Sequence, residues 1–322
     1  MFGTPEHNYN QRSGEVYRPD TPEYRFHMAI LDVTKNTESR RVIDSGWGKK
    51  QGGPYDEKCL ASFRDEYWDR LDEISYEPAI GHSPELAARL IVEGISDFKY
   101  LKPSNERYNI HVGLADQADD IFAGTDIVVT IEDTETGQKI PFGIDATVSQ
   151  DNDVLRKKTN RIKHNLNDGH LNKIRFYRDP STGRPIGAKE MPLVVISINP
   201  EQLKLMAEQC EKRFDVDRKY VNLRPAIKST FSQFNFETEL ASEIVDQLDR
   251  QISYLSNQAE SNHKRYNNGQ EWTPEMIENS KKAYDRLFLI RDLVASSILS
   301  EPKKREQQSA TPYNVIRPVT TF

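Results

Sequence analysis

Cysteine is scarce in this sequence. Only Cys59 and Cys210 occur in 322 residues, and they form no C-x-x-C pair. Without clustered cysteines the chain can build neither a cysteine zinc site nor a framework of disulfide bonds. This scarcity is typical of proteins in a reducing compartment, so we expect a cytoplasmic protein.

Long apolar runs are also lacking. The run MPLVVISI at 191–198 is too short to cross a bilayer. The first twenty residues contain no apolar segment of the kind found in signal peptides. We therefore expect that the protein has no membrane partner.

Several common catalytic motifs are missing. The sequence contains no H-E-x-x-H motif, no G-x-S-x-G elbow, no Walker A loop and no G-x-G-x-x-G turn. Its seven histidines show no paired spacing suited to a metal. These absences argue against the hydrolase, nucleotide-binding and dinucleotide-binding chemistries that depend on those motifs.

The composition is polar for one compact unit. Apolar residues make up 36%, charged residues 29%, and the mean hydropathy is −0.75. Part of the chain is therefore expected to be extended or disordered. Local patterns predict a loosely ordered arm over 1–57, an α/β core over 58–215, a helical region over 216–300 and a disordered tail over 301–322.

Residues 126–148 have the pattern of two short strands joined by a polar turn that contains glycine. Because side chains alternate along a strand, Asp126 and Asp145 lie on the faces opposite the apolar residues of their strands. With the turn centred on 136–137, Asp126 faces Thr147 and lies diagonal to Asp145. A turn centred one residue earlier sets the two aspartates directly opposite each other.

Both registers bring two carboxylates within reach of one divalent metal ion, since facing residues lie about 5 Å apart and diagonal ones about 7 to 8 Å. Aspartates at strand ends often only begin turns or stay solvated. Asp145 differs because it lies in the middle of FGIDATV, an otherwise apolar strand where an unpaired carboxylate is costly. We therefore expect Asp145 to have a metal, a cation or a catalytic role.

The following segment predicts a helix with a lysine inside its apolar stripe. Residues 151–153 can cap a helix that runs through VLRKKTNRIKHNL. Lys158 lies at the centre of the predicted inward stripe, which comprises Val154, Leu155, Ile162 and Leu166. The opposite, solvated face is expected to carry Lys157, Arg161 and His164. Helical lysines commonly extend to water, and the functional alternative is that Lys158 reaches the Asp145 face of the sheet.

The order of a helix, a GTD strand, a GIDAT strand and a lysine-bearing helix resembles the PD-(D/E)XK nuclease superfamily. This resemblance implies an α/β fold with a restriction-endonuclease-like αβββαβ core, here followed by a C-terminal helical hairpin. It also implies that Asp126 and Asp145 bind Mg²⁺ (or Mn²⁺). Thr147 stands where the family has its lysine, and we expect it to help order the site. Lys158 from the next helix is the natural replacement, and Lys157 is the alternative.

Two further acids are candidate metal ligands, and the resemblance spans roughly residues 83–211. Asp120 precedes the Gly-Thr-Asp of the first strand, although a turn or helix cap explains it equally well. Glu93 lies in a predicted helix at the position from which family members often supply a glutamate. A solvated helix face is the alternative explanation for Glu93.

Basic residues are concentrated after the lysine helix begins, although the net charge is −6. Eight lysines and arginines occur over 156–178 with only Asp168 as an acid. Such a belt beside carboxylates suits a phosphate backbone, with DNA expected rather than RNA, although charge runs are more commonly solvated surface. The expected nucleic-acid contacts are Arg156, Lys157, Arg161 and Arg175.

The remainder of the chain predicts a helical hairpin. One apolar stripe begins at Leu240, and a second helix begins at Thr273-Pro274, where a cap precedes a proline. The second stripe is expected to comprise Ile277, Tyr284, Leu287, Val294 and Ile298. A homodimer through these helices is one possible assembly.

These patterns predict a metal-dependent nuclease that hydrolyses phosphodiester bonds. The missing strand lysine favours an alternative, a non-catalytic module for nucleic acid or protein on a degraded nuclease fold. The long helices would also suit a purely structural interaction protein.

Overall fold

The computed structural model describes residue 91 and residues 107–116, 119–120, 123–149, 151–178, 185–213, 223–266, 273–299 and 315–320. Glu93 and the predicted arm over 1–57 lie outside these residues. The strands are β1 (Tyr108–Leu114), β2 (Ile127–Asp133), β3 (Lys139–Thr147), β4 (Asn172–Arg178), β5 (Pro185–Met191), β6 (Leu193–Ile198) and β7 (Ile316–Arg317). The helices are α1 (Asn152–Asn167), α2 (Pro200–Glu211), α3 (Leu223–Phe234), α4 (Phe236–Tyr266) and α5 (Pro274–Leu299).

The described residues form a mixed α/β fold, as the sequence predicts. One sheet has five strands in the order β1-β2-β3-β6-β7, and β4 pairs with β5 in a separate antiparallel hairpin. Strands β1, β2 and β3 pair antiparallel, β3 pairs parallel with β6, and β6 pairs antiparallel with β7. A parallel pair requires a long crossover, which α1 and the β4–β5 hairpin provide between β3 and β6.

The register of β2 against β3 is the second of the two that the sequence allows. Ile127 pairs with Ile144 and Glu132 with Lys139, which sets Asp126 directly opposite Asp145. The register centred on 136–137 is therefore wrong. The turn begins one residue earlier because its first position is held by the Asp133 side chain.

Asp133 closes this turn by side-chain hydrogen bonds. Its Oδ1 accepts from the backbone N–H groups of Glu135 (2.9 Å) and Thr136 (3.2 Å), and its Oδ2 accepts from Arg107 (2.6 Å). The Arg107 guanidinium lowers the pKa of Asp133 to about 2. Gly137 adopts a φ of 68°, a left-handed conformation that favours glycine. These contacts fix the register that brings the two aspartates together.

The aspartate face of the sheet is covered by the β4–β5 hairpin and by α1. Val128, which shares this face by parity, packs against a small cluster formed by Ala123, Ile174, Tyr177 and Met191. The Thr130 hydroxyl also lies 3.2 Å from the Tyr177 hydroxyl. This cover removes Asp145 from water, since only 1% of it is exposed.

Strand β6 is the fully buried strand that its apolar sequence predicts. Strand β7 covers only the end of β6. Along the rest of that edge, two glutamines of α4 form hydrogen bonds with the backbone groups of β6. Gln247 accepts from the Val195 backbone N–H (2.8 Å) and donates to the Val195 carbonyl, and Gln251 donates to the Leu193 carbonyl (2.8 Å). The α4 side chains thus replace a neighbouring strand along this part of the sheet.

Replacing Gln247 with alanine is expected to lower the free energy of unfolding by about 2 to 4 kcal/mol, because the buried N–H and C=O of Val195 lose their partners. Its exposed neighbour Asp246 is the matched control, and Asp246→Ala should stay within about 0.5 kcal/mol of wild type. Urea denaturation of the two variants measures the difference. Equal stabilities would contradict the edge-sealing role of Gln247.

Residues 315–320 depart from the prediction of a disordered tail over 301–322, of which they are the described part. Residues 315–320 extend along β6, where Ser197 pairs with Arg317. Glu239 accepts from the backbone N–H groups of Val315 (2.8 Å) and Ile316 (2.9 Å), and Glu243 does the same for Val319 (3.1 Å). The backbone hydrogen bonds to β6 and to the carboxylates of Glu239 and Glu243 leave no pattern in the sequence of residues 315–320. For this reason the sequence did not predict that these residues are ordered.

Helices α4 and α5 form the predicted hairpin, and they share one hydrophobic cluster with the sheet and α1. The predicted cap is present, with the Thr273 hydroxyl accepting from Met276 N–H (3.2 Å). The predicted α5 stripe is partly wrong, because Ile277 and Tyr284 are exposed. The buried residues of α5 are Ala283, Leu287, Ile290, Leu293 and Val294. In the part of the chain that the structure describes, no helix meets the length and apolarity that a membrane span needs.

Candidate functional site

Asp145 lies at the centre of the candidate site. Both of its carboxylate oxygens contact cations of α1: Lys158 Nζ donates to Oδ1, and Arg161 Nη2 donates to Oδ2 (2.6 Å). Asp145 is 1% exposed, whereas the Lys158 and Arg161 side chains are 26% and 34% exposed. A buried carboxylate is thus neutralised by two cations that also reach water, which explains how this strand tolerates an aspartate.

Helix α1 positions these cations by its phase. Asp151 caps the helix by accepting from Asp153 N–H (2.8 Å). The residues buried against the core are Leu155, Thr159, Ile162 and Leu166. Lys158 flanks this buried row, and its side chain reaches the Asp145 face of the sheet as the functional reading of the sequence expects.

Arg161 does not lie on a solvated face, so that part of the helical prediction is wrong. Residues three apart on a helix are neighbours, and Arg161 therefore projects toward the same carboxylate as Lys158. The i, i+3 spacing of Lys158 and Arg161 was the signal that could have predicted the second cation.

Asp126 and Asp120 complete a cluster of carboxyl groups. Asp126 Oδ2 accepts from Ala146 N–H (2.6 Å), and its carboxyl group lies close enough to that of Asp120 for the two to interact. Loss of water raises the pKa of Asp126 well above its usual range, and the nearby charges of Asp120 and Asp145 raise it further. The pKa of Asp120 is also raised, mainly by loss of water around its carboxyl group, although the residue as a whole is exposed. The structure therefore brings the candidate Asp120 to Asp126 and Asp145.

Gly124 shapes the floor beneath Arg161. Its carbonyl accepts from Arg161 Nη2 (3.2 Å), its φ is 56°, and a Cβ at this position would overlap the guanidinium. Glycine is needed here both for the left-handed backbone and for the close approach of the arginine. The Arg161 Nε is buried and has no hydrogen-bond partner.

Asp119 ties this region to β4. Its two oxygens accept from the backbone N–H groups of Arg175 (2.6 Å) and Phe176 (2.9 Å). These two residues form a β-bulge, because together they lie opposite a single residue of β5. Burial raises the pKa of Asp119 to about 7, although these hydrogen bonds lower it. Asp119 has a structural role next to Asp120, and the sequence did not separate the two aspartates.

Thr147 lies two residues beyond Asp145 on the same face of β3. It is 6% exposed, and its hydroxyl accepts from Ser149 N–H (3.1 Å). This bond shapes the chain as it leaves β3 for α1. The proposed part of Thr147 in ordering the site stays a prediction.

The basic residues divide into an exposed group and a partly buried group. Arg156 and Lys157 are exposed on α1, and Arg156 pairs with Asp153 (3.1 Å). Arg175 is half-buried, and its charge acts on Asp119. Arg156 and Lys157 are therefore the better placed of the predicted nucleic-acid contacts, whereas Arg175 is directed toward the protein.

The donor atoms suit a divalent cation in their chemistry. Carboxylate oxygens are the ligands that Mg²⁺ and Mn²⁺ prefer, and Asp120, Asp126 and Asp145 supply them. Within the described ranges, no three acidic, imidazole or thiol groups are arranged as a ready metal-binding group.

Comparison of the chain with protein families, with curated proteins and with solved structures finds no match.

Proposed function

We propose that this protein is a metal-dependent nuclease that hydrolyses phosphodiester bonds, with DNA preferred over RNA. The observation that carries the proposal is the meeting of Lys158 with Asp145 directly across from Asp126. Two acids on adjacent strands and one lysine are the groups that this chemistry needs. Their convergence from three separate elements supports a functional site over scattered surface charge.

The order of the elements also supports a restriction-endonuclease-like core. Strands β1, β2 and β3 form an antiparallel meander, α1 follows, and β6 then pairs parallel with β3. With the β4–β5 hairpin set aside, this order supports the βββαβ part of the expected αβββαβ core. The β4–β5 hairpin is an addition between α1 and β6, and it covers the aspartate face.

The chain's own groups have distinct roles in this proposal. Asp126 and Asp145, with Asp120, would hold Mg²⁺ or Mn²⁺. When bound, such an ion lowers the pKa of a water molecule and offsets charge on the phosphate. Lys158 places an ammonium group next to these carboxylates, where it can orient water by hydrogen bonding and stabilise negative charge on the phosphate. The hairpin cover limits access of bulk water, which strengthens these interactions.

The test uses the full chain with supercoiled plasmid DNA and, separately, single-stranded RNA. Each is incubated with Mg²⁺, with Mn²⁺ and with EDTA, and products are resolved on gels. We expect metal-dependent cleavage, faster on DNA, that disappears in EDTA. Cleavage that persists in EDTA, or none under any condition, would overturn the proposal.

The exposed cations of α1 should control binding strength. Arg156→Gln combined with Lys157→Gln is expected to weaken DNA binding and to lower the slope of log affinity against log salt by up to about one unit per lost phosphate contact. Lys282→Gln, at an exposed lysine of α5 paired with Glu278, is the matched control and should leave the slope unchanged. A salt titration followed by fluorescence anisotropy measures the affinity and the slope of each variant. An unchanged slope in the double variant would mean that Arg156 and Lys157 are ordinary solvated charges that do not contact phosphates.

A second candidate function has one observation in its favour. Because Lys158 and Arg161 occupy both oxygens of Asp145, the buried charge is balanced by protein groups alone. A degraded nuclease fold that only binds nucleic acid or protein would retain a buried aspartate that is neutralised in this way. DNA binding without cleavage in the plasmid experiment would select this candidate.

A further inference from the structure

Arg161 occupies a carboxylate oxygen that the proposed metal ion would need. Its Nη2 donates to Asp145 Oδ2 at 2.6 Å, while Lys158 holds Oδ1. For Asp145 to serve as a metal ligand, one of the two cations must leave its oxygen. The inference below rests on the proposed function and concerns which cation leaves and where it goes.

Two observations point to Arg161 as the mobile cation. Its side chain is the more exposed of the two, at 34% against 26% for Lys158. The Arg161 Nε is buried without a partner, which leaves one donor of the guanidinium fork unsatisfied in the present arrangement.

The chemistry of the guanidinium gives the destination. A divalent ion at Asp145 would repel the Arg161 charge, and a backbone phosphate is the negatively charged group that a nucleic acid brings to the site. A guanidinium binds phosphate through two parallel hydrogen bonds, and Arg161 released from Asp145 has the donors to do so.

We propose that Arg161 is an exchange residue: it holds Asp145 in the absence of metal and transfers to a backbone phosphate of the nucleic acid when a divalent ion takes its place. Metal and substrate phosphate therefore bind cooperatively through one side chain. Gly124 allows this exchange because its missing Cβ leaves the guanidinium room beside the carbonyl to which it donates. Arg161 is a binding and positioning residue, and the chemical step belongs to the groups around Lys158.

The first measurement is calorimetric titration of Mn²⁺ into the full chain without nucleic acid. Arg161→Gln removes the competing cation and is expected to tighten Mn²⁺ binding on the order of 10-fold. Arg161→Lys keeps a positive charge and should stay within about twofold of wild type. Arg156→Gln, an exposed site on the same helix, should also leave Mn²⁺ affinity unchanged. Unchanged or weaker Mn²⁺ binding by folded Arg161→Gln would overturn the exchange.

The second measurement separates exchange from a general effect of charge. A short duplex DNA is titrated in Ca²⁺, with gels confirming that it stays intact, and again in EDTA. Arg161→Gln is expected to lose about 10-fold in DNA affinity in Ca²⁺ and to match wild type in EDTA, where Asp145 still holds the wild-type arginine. Arg156→Gln should weaken binding in both. An equal loss for Arg161→Gln in both conditions would make Arg161 a fixed phosphate contact and overturn the proposal.

The two proposals fail in different ways. If the wild type binds Mn²⁺ but cuts nothing, the nuclease proposal fails, while the exchange is still decided by the two binding measurements. If neither wild type nor Arg161→Gln binds Mn²⁺, the exchange is overturned. Thermal melts establish that each variant is folded. We expect the Arg161 variants to fold because the Arg161 side chain is partly exposed.

Discussion

Asp145→Asn is expected to abolish Mg²⁺- or Mn²⁺-dependent cleavage, with a loss on the order of 10³-fold or more. Asparagine keeps the size of the side chain but removes the negative charge. Asp145 lies opposite Asp126, so the substitution takes one of two facing carboxylates from the proposed metal site. Initial rates on plasmid DNA at saturating Mn²⁺ measure the loss.

The same variant should remain folded. Lys158 and Arg161 lose a partner, but their side chains are 26% and 34% exposed and can turn to water, so neither becomes a buried unpaired charge. Asp168→Asn, at the exposed C-terminal cap of α1, is the control and should cut at the wild-type rate. Undiminished cleavage by Asp145→Asn would remove Asp145 from the catalytic site, and a collapsed melting transition would make its role structural.

Alternation along strands was sufficient to predict which side chains share a face. Asp126 and Asp145 were placed together because the period of two is independent of the exact register. The choice between registers depended on Asp133, whose side-chain bonds to Glu135 and Thr136 N–H set where the turn begins. In this turn Asp133 and Glu135 alternate with two threonines, which offers several capping partners that the sequence does not rank.

Helical spacing predicts the direction of the Lys158 side chain correctly and that of Arg161 incorrectly, for one physical reason. A helix row is defined by i, i+3 and i+4 neighbours, so a long arginine at i+3 reaches the same carboxylate as the lysine. An apolar stripe locates the centre of the buried face, but it does not show how far long side chains extend at its flanks. Arg161, which the sequence assigned to solvent, therefore contacts Asp145.

Strand β1 is missing from the predictions although its sequence offers a signal, because Tyr108, Ile110, Val112 and Leu114 alternate along it. The parts that could not be predicted depend on long-range backbone bonds. Strand β7 has only two residues, and its place on β6 depends on Glu239 and Glu243 of a distant helix. Such contacts leave no local periodicity, because each uses backbone groups that every residue carries.

The adjacent lysines of α1 give the sharpest test of which ammonium group serves the proposed nuclease site. Lys158 donates to buried Asp145, whereas Lys157 is exposed. Lys158→Ala is expected to slow cleavage on the order of 100-fold or more while leaving DNA affinity nearly intact, as for a group that acts mainly in the transition state. Lys157→Ala should reduce DNA affinity and leave the rate at saturating DNA close to wild type.

Single-turnover rates at saturating DNA, together with anisotropy titrations, separate these two effects. The control is internal, since both variants remove one lysine charge from consecutive positions of one helix. If Lys157→Ala loses the rate instead, the lysine of the proposed nuclease site is the exposed neighbour. If neither variant changes the rate, an ammonium beside Asp145 serves only to neutralise a buried carboxylate, and the non-catalytic binding module becomes the better account of this fold.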